Sequence, residues 1–321
     1  MTQADSTGSA LGLVEADETF TRRAVEESGG PQRSRKMSKT LTPWLFLIVP
    51  LAFLVVFTYI PVANLFHYSL TSWDGVSPDK KFVGLKNFQE LFTRPALYRV
   101  FFVSLYYLAF SFIQMALALY FATVLSFKIK FKGLFKGILF FPYLVNGVAI
   151  GFIFLYFFKP GGTLDSALSW FGIGGHYWLG DQSLVNWSLA ATSVWRFLGL
   201  NFVLFLGAIQ SIPGFLYEAA EIDGASRWQQ FRHIILPGIR SIISLSFILA
   251  ISGSLSVFEI PFIMTGGANG SKTFVIQTVQ QAFVFNKVGF ASAAALILLL
   301  IVLVVTWIQR LLVPEERVDL V

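Results

Sequence analysis

Apolar residues fill this chain in runs too long for the core of a globular domain. Near 43–70, 100–127, 137–158, 185–209, 237–264 and 288–312 the sequence is almost free of charge, and about 20 such residues cross a ~30 Å hydrocarbon layer as a helix. A backbone in lipid must satisfy its own hydrogen bonds, so runs of this length predict helices rather than open sheet. The expected fold class is all-α integral membrane, with six transmembrane helices. Of 321 residues, 55% are hydrophobic and 13% charged, which leaves too little polar sequence for a separate soluble domain. Residues 41–321 are read as one transmembrane domain. Residues 1–40, rich in Ser, Thr and Glu, read as a disordered cytoplasmic tail. The first apolar run starts late and is too long for a signal core, so no cleaved leader is expected.

The formal net charge of +6 does not predict a nucleic-acid partner, because most Lys and Arg border the apolar runs, where they set orientation in the membrane. Cytoplasmic positions are expected to hold thirteen: Arg33, Arg35, Lys36, Lys39, Lys128, Lys130, Lys132, Lys136, Arg227, Arg232, Arg240, Arg310 and Arg317. The other side holds eight, with Lys80, Lys81, Lys86, Arg94 and Arg99 on the first loop opposing the assignment. The excess predicts a multi-pass protein of the cell membrane with both termini in the cytoplasm. Pro50 and Pro61 lie inside the first run and are candidate kinks. No internal repeat emerges, which lowers the alternative of a secondary transporter built from two related halves.

Several chemistries lack their residues. The chain has no Cys, and His67, His176 and His233 lack metal-ligand spacing. Gly270-Ser271-Lys272-Thr273 departs from the phosphate-loop order, since Ser271 interrupts it. No nucleotide site, cofactor or enzymatic centre is expected in this chain, and any ATP must be bound by another subunit.

One polar stretch stands between apolar runs: Glu218 to Pro237, EAAEIDGASRWQQFRHIILP. Glu218-Ala219-Ala220-Glu221 favour helix, and Asp223-Gly224 is a stop at which Gly adopts left-handed backbone without a steric cost. Ser226 with Gln229 spells a capping box that starts a second helix, and Pro237 suits the first turn of the next. Two short helices joined by a turn, lying in water, make a docking surface. The alternative is an ordinary charged loop between spans.

The spacing of Glu218, Ala219, Ala220, Gly224, Ile234, Leu236 and Pro237 resembles the cytoplasmic signature of permease subunits of ATP-binding-cassette importers. More narrowly, the chain is similar to the maltose, multiple-sugar and glycerol-phosphate branch. Matching stretches are Phe82-Val83-Gly84-Leu85-Lys86-Asn87-Phe88, Phe141-Pro142-Tyr143, Trp195-Arg196, Ile212-Pro213, Phe258-Glu259 and Met264-Thr265-Gly266-Gly267. Departures are Asn146-Gly147 and the acid at Glu259, positions near the pathway. The resemblance implies a type I importer permease fold with a cytoplasmic coupling helix. It also implies a second homologous permease, two ATP-binding subunits and an extracytoplasmic sugar-binding protein. Coupling to the ATPase would fall to Glu218, Ala219, Ala220, Asp223 and Gly224. The implied function is half of the translocation path of an ATP-driven importer of a sugar or oligosaccharide, working by alternating access. The alternative is a stand-alone secondary transporter driven by an ion gradient.

Polar groups inside spans are costly and point to function or pairing. Arg196, deep in the fourth span, either pairs with Glu259 or snorkels to an interface. Tyr143, Asn146, Asn201, Ser254 and Glu259 are the candidate substrate-path residues. Ser252, Ser254 and Ser256 cannot share one helix face, because steps of two turn by about 200°.

Overall fold

The computed structural model describes residues 44, 46–127 and 130–312. The expectations for the 1–40 tail, for Lys128 and Arg317, and for the placement of both termini fall outside the described residues. Six helical stretches are long and apolar enough to cross a membrane: Phe46–Ser69, Pro95–Ser126, Gly147–Ser169, Val185–Gln210, Arg240–Thr265 and Val288–Leu311. The chain divides into two units between Asn64 and Leu65. The described part of the first belongs to helix α1 (Phe46–Ser69), which carries a π-helical turn at Val55–Tyr59. The turn ends just before Pro61, whose missing N–H would leave a carbonyl of the preceding turn unbonded, and the wider turn absorbs this defect.

In the second unit the loop after α1 is folded by its own side chains. Thr71 pairs with Phe82 in an isolated antiparallel bridge, and Val83 N donates to Leu70 O at 2.8 Å. Helix α2 (Lys86–Thr93) follows. The buried Asn87 Nδ2 donates to Ser69 O at 2.7 Å and Thr71 O at 2.8 Å, fastening α2 to the end of the first span. Leu91 on the same helix packs with Phe274, Phe290 and Ala294.

Helix α3 (Pro95–Ser126) leads to α4 (Lys132–Leu144), α5 (Gly147–Phe158) and α6 (Thr163–Ser169). The third predicted span, 137–158, is corrected here to two helices. Val145 and Asn146 take extended ψ angles of 135° and 137°, and the Asn146 side-chain Oδ1 accepts from Val148 N at 2.8 Å to start α5. A side chain that satisfies the new N-terminus makes such a break affordable within a membrane.

Helix α7 (Val185–Gln210) is the central element, packed along α3 and α4. Met115, Ala118, Ala122 and Leu125 recur every three or four residues on α3 and meet Phe202, Phe205, Leu206 and Ile209 of α7. Ala118 and Ala122 are fully covered, and small residues let membrane helices approach closely. Toward the other end, Tyr107, Phe158, Val185, Leu189, Ile260 and Met264 form a second core.

The polar segment holds α8 (Gly214–Ile222) and α9 (Arg227–Gln230), the latter running into a π-helical turn at Phe231–Ile235. Pro237 sits at the start of a three-residue turn, Leu236–Gly238. The span itself, α10 (Arg240–Leu255), begins only after a break at Ile239, three residues beyond Pro237. This fifth span is also interrupted before α11 (Glu259–Thr265), with Phe258 at φ −138°, ψ −57°. Helix α12 (Phe274–Phe283), absent from the sequence reading, precedes α13 (Val288–Leu312).

Candidate functional site

The segment after α7 folds as the spacing predicts. At the end of α8, Gly224 has φ +76°, while Gly224 N donates to Glu221 O at 3.1 Å and Ala225 N to Ala220 O at 2.8 Å. These bonds satisfy the helix's last carbonyls, and the left-handed residue between them suits glycine. Ser226 then restarts the chain. Its backbone N donates to Gln229 Oε1 at 2.7 Å, and Gln229 N donates to Ser226 Oγ at 3.3 Å, a complete capping box. The buried Gln230 reaches back from Nε2 to Ala225 O at 3.5 Å, bracing the turn from beneath.

The two faces of this segment differ. Tyr217, Phe231, Ile235 and Ile239 belong to the core that α3 and α7 share, so the segment is rooted among the spans. Burial raises the pKa of the Tyr217 phenol, and its hydroxyl has no hydrogen-bond partner among the described residues. Glu218, Ala219, Glu221, Asp223 and Gly224 are exposed, and Ala220 is half-buried. Among the described residues, the only ion pairs are Arg94–Glu90 and Arg196–Glu259, so the three carboxylates of this segment are unpaired. Two residues missed by the sequence reading share the open face: Ile222 is 87% exposed and Trp228 67%. Large apolar groups left open within a charged segment are the usual anchors of protein contacts, and that contrast was available in the sequence.

A second constellation lies inside the spans. Arg196 Nη1 donates to Glu259 Oε2 at 2.6 Å, joining the middle of α7 to the first residue of α11. The guanidinium also lies 5.0 Å from the centre of the Phe197 ring. Gly147, first residue of α5, backs onto the pair: a Cβ there would overlap both Glu259 Oε2 and Arg196 Nη1. The interruption between α4 and α5, the interruption before α11 and the ion pair therefore coincide.

The candidate path residues distribute unevenly about this point. Asn146 is exposed beside Gly147 and spends its side-chain oxygen on the α5 cap. Tyr143 is half-buried, its ring 6.4 Å from that of Phe197, the neighbour of Arg196. Asn201 and Ser254 are buried, and Ser254 Oγ donates to Ile251 O at 2.8 Å within its own helix. No hydrogen bond joins either to the ion pair among the described residues. The three serines diverge as their spacing requires, with Ser254 buried, Ser252 half-buried and Ser256 exposed.

Beyond the end of α5 a cavity of 370 Å³ opens between Phe158, Lys159, Tyr177, Met264, Thr265 and Asn269. Its wall is stapled by Asn269 Nδ2 donating to Leu179 O at 2.9 Å and Asn186 Nδ2 to Gly270 O at 3.2 Å. Gly270-Ser271-Lys272-Thr273 is occupied structurally. Ser271 Oγ donates to Ala268 O at 2.6 Å, and Thr273 caps α12 by accepting from Ile276 N at 3.2 Å.

Residues 114–318 match the family model described as binding-protein-dependent transport system inner membrane component. Among curated proteins, the chain is 35% identical to the "Probable ABC transporter permease protein YurN" of Bacillus subtilis (strain 168), covering 84% of this chain and 94% of that protein. It is 34% identical to the "Multiple sugar-binding transport system permease protein MsmF" of Streptococcus mutans, covering 86% and 96%. Among solved structures, a chain of a bacterial ABC transporter involved in the import of the acidic polysaccharide alginate matches with a TM-score of 0.78 at 19% identity, over 89% of this chain and all of that one. At that identity the match speaks for the fold.

Proposed function

The chain belongs to the binding-protein-dependent transport system inner membrane components, and from this we propose that it forms half of the translocation path of an ATP-driven importer for a sugar or oligosaccharide. Membership sets aside the stand-alone, ion-gradient-driven alternative. A second, homologous permease subunit completes the path, two ATP-binding subunits dock on the cytoplasmic side, and an extracytoplasmic protein delivers the sugar. ATP is bound by those partners, this chain contributing no nucleotide site, and both termini lie in the cytoplasm. The names of relatives support the substrate class: MsmF, the "Arabinooligosaccharides transport system permease protein AraP" and a starch degradation products permease are each more than four-fifths covered.

The observation that carries the reading is the two-faced segment from α8 to α9. Its open side presents Glu218, Ala219, Ala220, Asp223 and Gly224, with Ile222 and Trp228 as apolar anchors, to an ATP-binding subunit. Its underside shares a core with α3 and α7, so displacement of the docked partner moves spans. Alternating access then follows as a shift between two packings, each favoured only by its own contacts. Tyr143, Asn146 and Glu259 face the passage, and Asn201 and Ser254 support it.

Reconstitution tests this reading. The complex carrying Glu218→Lys inserts and folds but loses ATP-driven sugar uptake and releases its ATP-binding subunits in size-exclusion chromatography. Wild-type uptake by that variant, or uptake by this chain alone under an ion gradient, overturns it.

A further inference from the structure

The two ends of the Arg196–Glu259 pair are covered to different degrees. The Arg196 side chain is 15% exposed and Glu259 43%. Arginine stands behind, its Nε buried without a partner and its guanidinium near the Phe197 ring; the carboxylate stands in front. Oε2 is engaged by Arg196, whereas Oε1 has no hydrogen bond among the described residues. A carboxylate turned toward hydrocarbon is strongly disfavoured, and interrupted helices within a membrane belong where protein or water covers them. Both interruptions meet at this pair, so its open side belongs to an aqueous space rather than to lipid.

The chemistry of that open side is selective. An approaching anion meets the carboxylate first and the better covered guanidinium second, so it is repelled. An approaching cation feels the same field with opposite sign, cut down for both by the opposite charge 2.6 Å away. What remains is a fixed hydrogen-bond acceptor of little net charge, suited to donors that carry none.

We propose that Glu259 Oε1, the free oxygen of a carboxylate that Arg196 holds and Gly147 backs through Oε2, is a hydroxyl-accepting station on the passage wall that favours uncharged polyhydroxy substrates and disfavours acidic ones. The proposal rests on the importer reading, in which this part of the chain lines the passage.

The test needs no knowledge of the particular sugar. The chain has no cysteine, so an introduced one reports a single place. Asn146→Cys sits beside Gly147, and Tyr143→Cys, on α4, serves where loss of the α5 cap unsettles the helix. The assembled complex in proteoliposomes is treated with neutral and anionic methanethiosulfonates of similar size. Rates are read by mass on this chain and normalised to Trp170→Cys, a position 87% exposed. Anionic labelling runs slower than neutral by roughly tenfold. Glu259→Gln, which leaves Arg196 uncompensated, reverses the preference, and the Arg196→Gln/Glu259→Gln pair abolishes it. Should Glu259→Gln fail to assemble, the double variant, with no lone charge to bury, carries the comparison. Equal neutral and anionic rates in the native background, or a ratio indifferent to these substitutions, overturn the station. Absence of labelling by either reagent at both cysteines overturns instead the assignment of this region to the passage.

Discussion

Arg196 and Glu259, sixty-three positions apart, join α7 to the interrupted fifth span through an ion pair of 2.6 Å, next to the core that Val185 and Leu189 share with Ile260 and Met264. Removing one partner strands the other. Arg196→Ala and Glu259→Gln should each lower the stability of the purified complex by about 2–3 kcal/mol, the half-open carboxylate keeping the cost below that of a fully buried pair. The Arg196→Gln/Glu259→Gln double variant should recover at least half of the loss in thermal denaturation. A double variant as unstable as the two losses added together would mean that the residues act independently.

Gly147→Ala places a methyl group where the ion pair lies. The variant should assemble poorly or lose uptake, and replacing both Arg196 and Glu259 with Ala in the same chain should restore assembly by freeing that space without leaving a lone charge. Assembly is followed by co-purification of the partner subunits. Full uptake by Gly147→Ala alone would show that the three groups are not in contact during transport.

The turn of the coupling segment sets a scale for its rigidity. Ser226→Ala removes one bond of the capping box and should cost about 1 kcal/mol. Gly224→Val forces a β-branched residue to φ +76°, with a penalty on the order of 1–2 kcal/mol. Because these strains fall on the turn proposed to dock the ATP-binding subunit, ATP hydrolysis should lose its stimulation by substrate before the spans lose stability. Hydrolysis and melting measured on one preparation separate the two.

Asn87 serves two carbonyls at once. Asn87→Ala leaves Ser69 O and Thr71 O without this donor, a loss of about 2–3 kcal/mol. Asn87→Asp is worse, since a carboxylate would face two acceptors. Hydrogen exchange of the 70–83 peptide should rise in both variants, more in the aspartate.

Asp74 gives the loop a pH dependence. Its carboxylate accepts from Ser77 Oγ at 2.6 Å, Val76 N at 2.9 Å and Ser77 N at 2.8 Å. These bonds, the Ser77 hydroxyl first among them, hold its pKa down at about 2. A depressed folded-state value stabilises the loop fully above the ordinary carboxylate range, and the contribution fades as pH falls toward 2. Exchange of this loop should therefore be flat from pH 7 to 5, after correction for intrinsic rates, and rise below 4. In Ser77→Ala the rise should be smaller and be complete at higher pH.

The membrane class, the number of candidate spans and the turn at Gly224 were legible because each rests on local rules: run length, helix stops and capping spacing. Gly224 and the Ser226–Gln229 pair needed nothing from the rest of the chain. The interruptions at Asn146 and Phe258 were not legible as such. Apolar length marks a crossing but does not register whether the helix is continuous, and the cap that makes the first break tolerable is one ordinary Asn. Arg196 was visible as an expensive charge, and its choice between Glu259 and an interface depended on tertiary placement. Helix α12 escaped notice because a ten-residue helix that does not cross has no length signal. Ile222 and Trp228 were passed over because attention to charge obscured the apolar groups beside it.

The Tyr217, Phe231 and Ile235 side chains share one core with Ala118 and Ala122 of α3, Phe205 of α7 and, across the break at Ile239, Ile242, Ile243 and Phe247 of α10. Mechanical order in this molecule is thus not chain order. A push on α8 acts as on a short lever whose fulcrum is that core: it bears sideways on helices synthesised much earlier at the same time as on the span that directly follows.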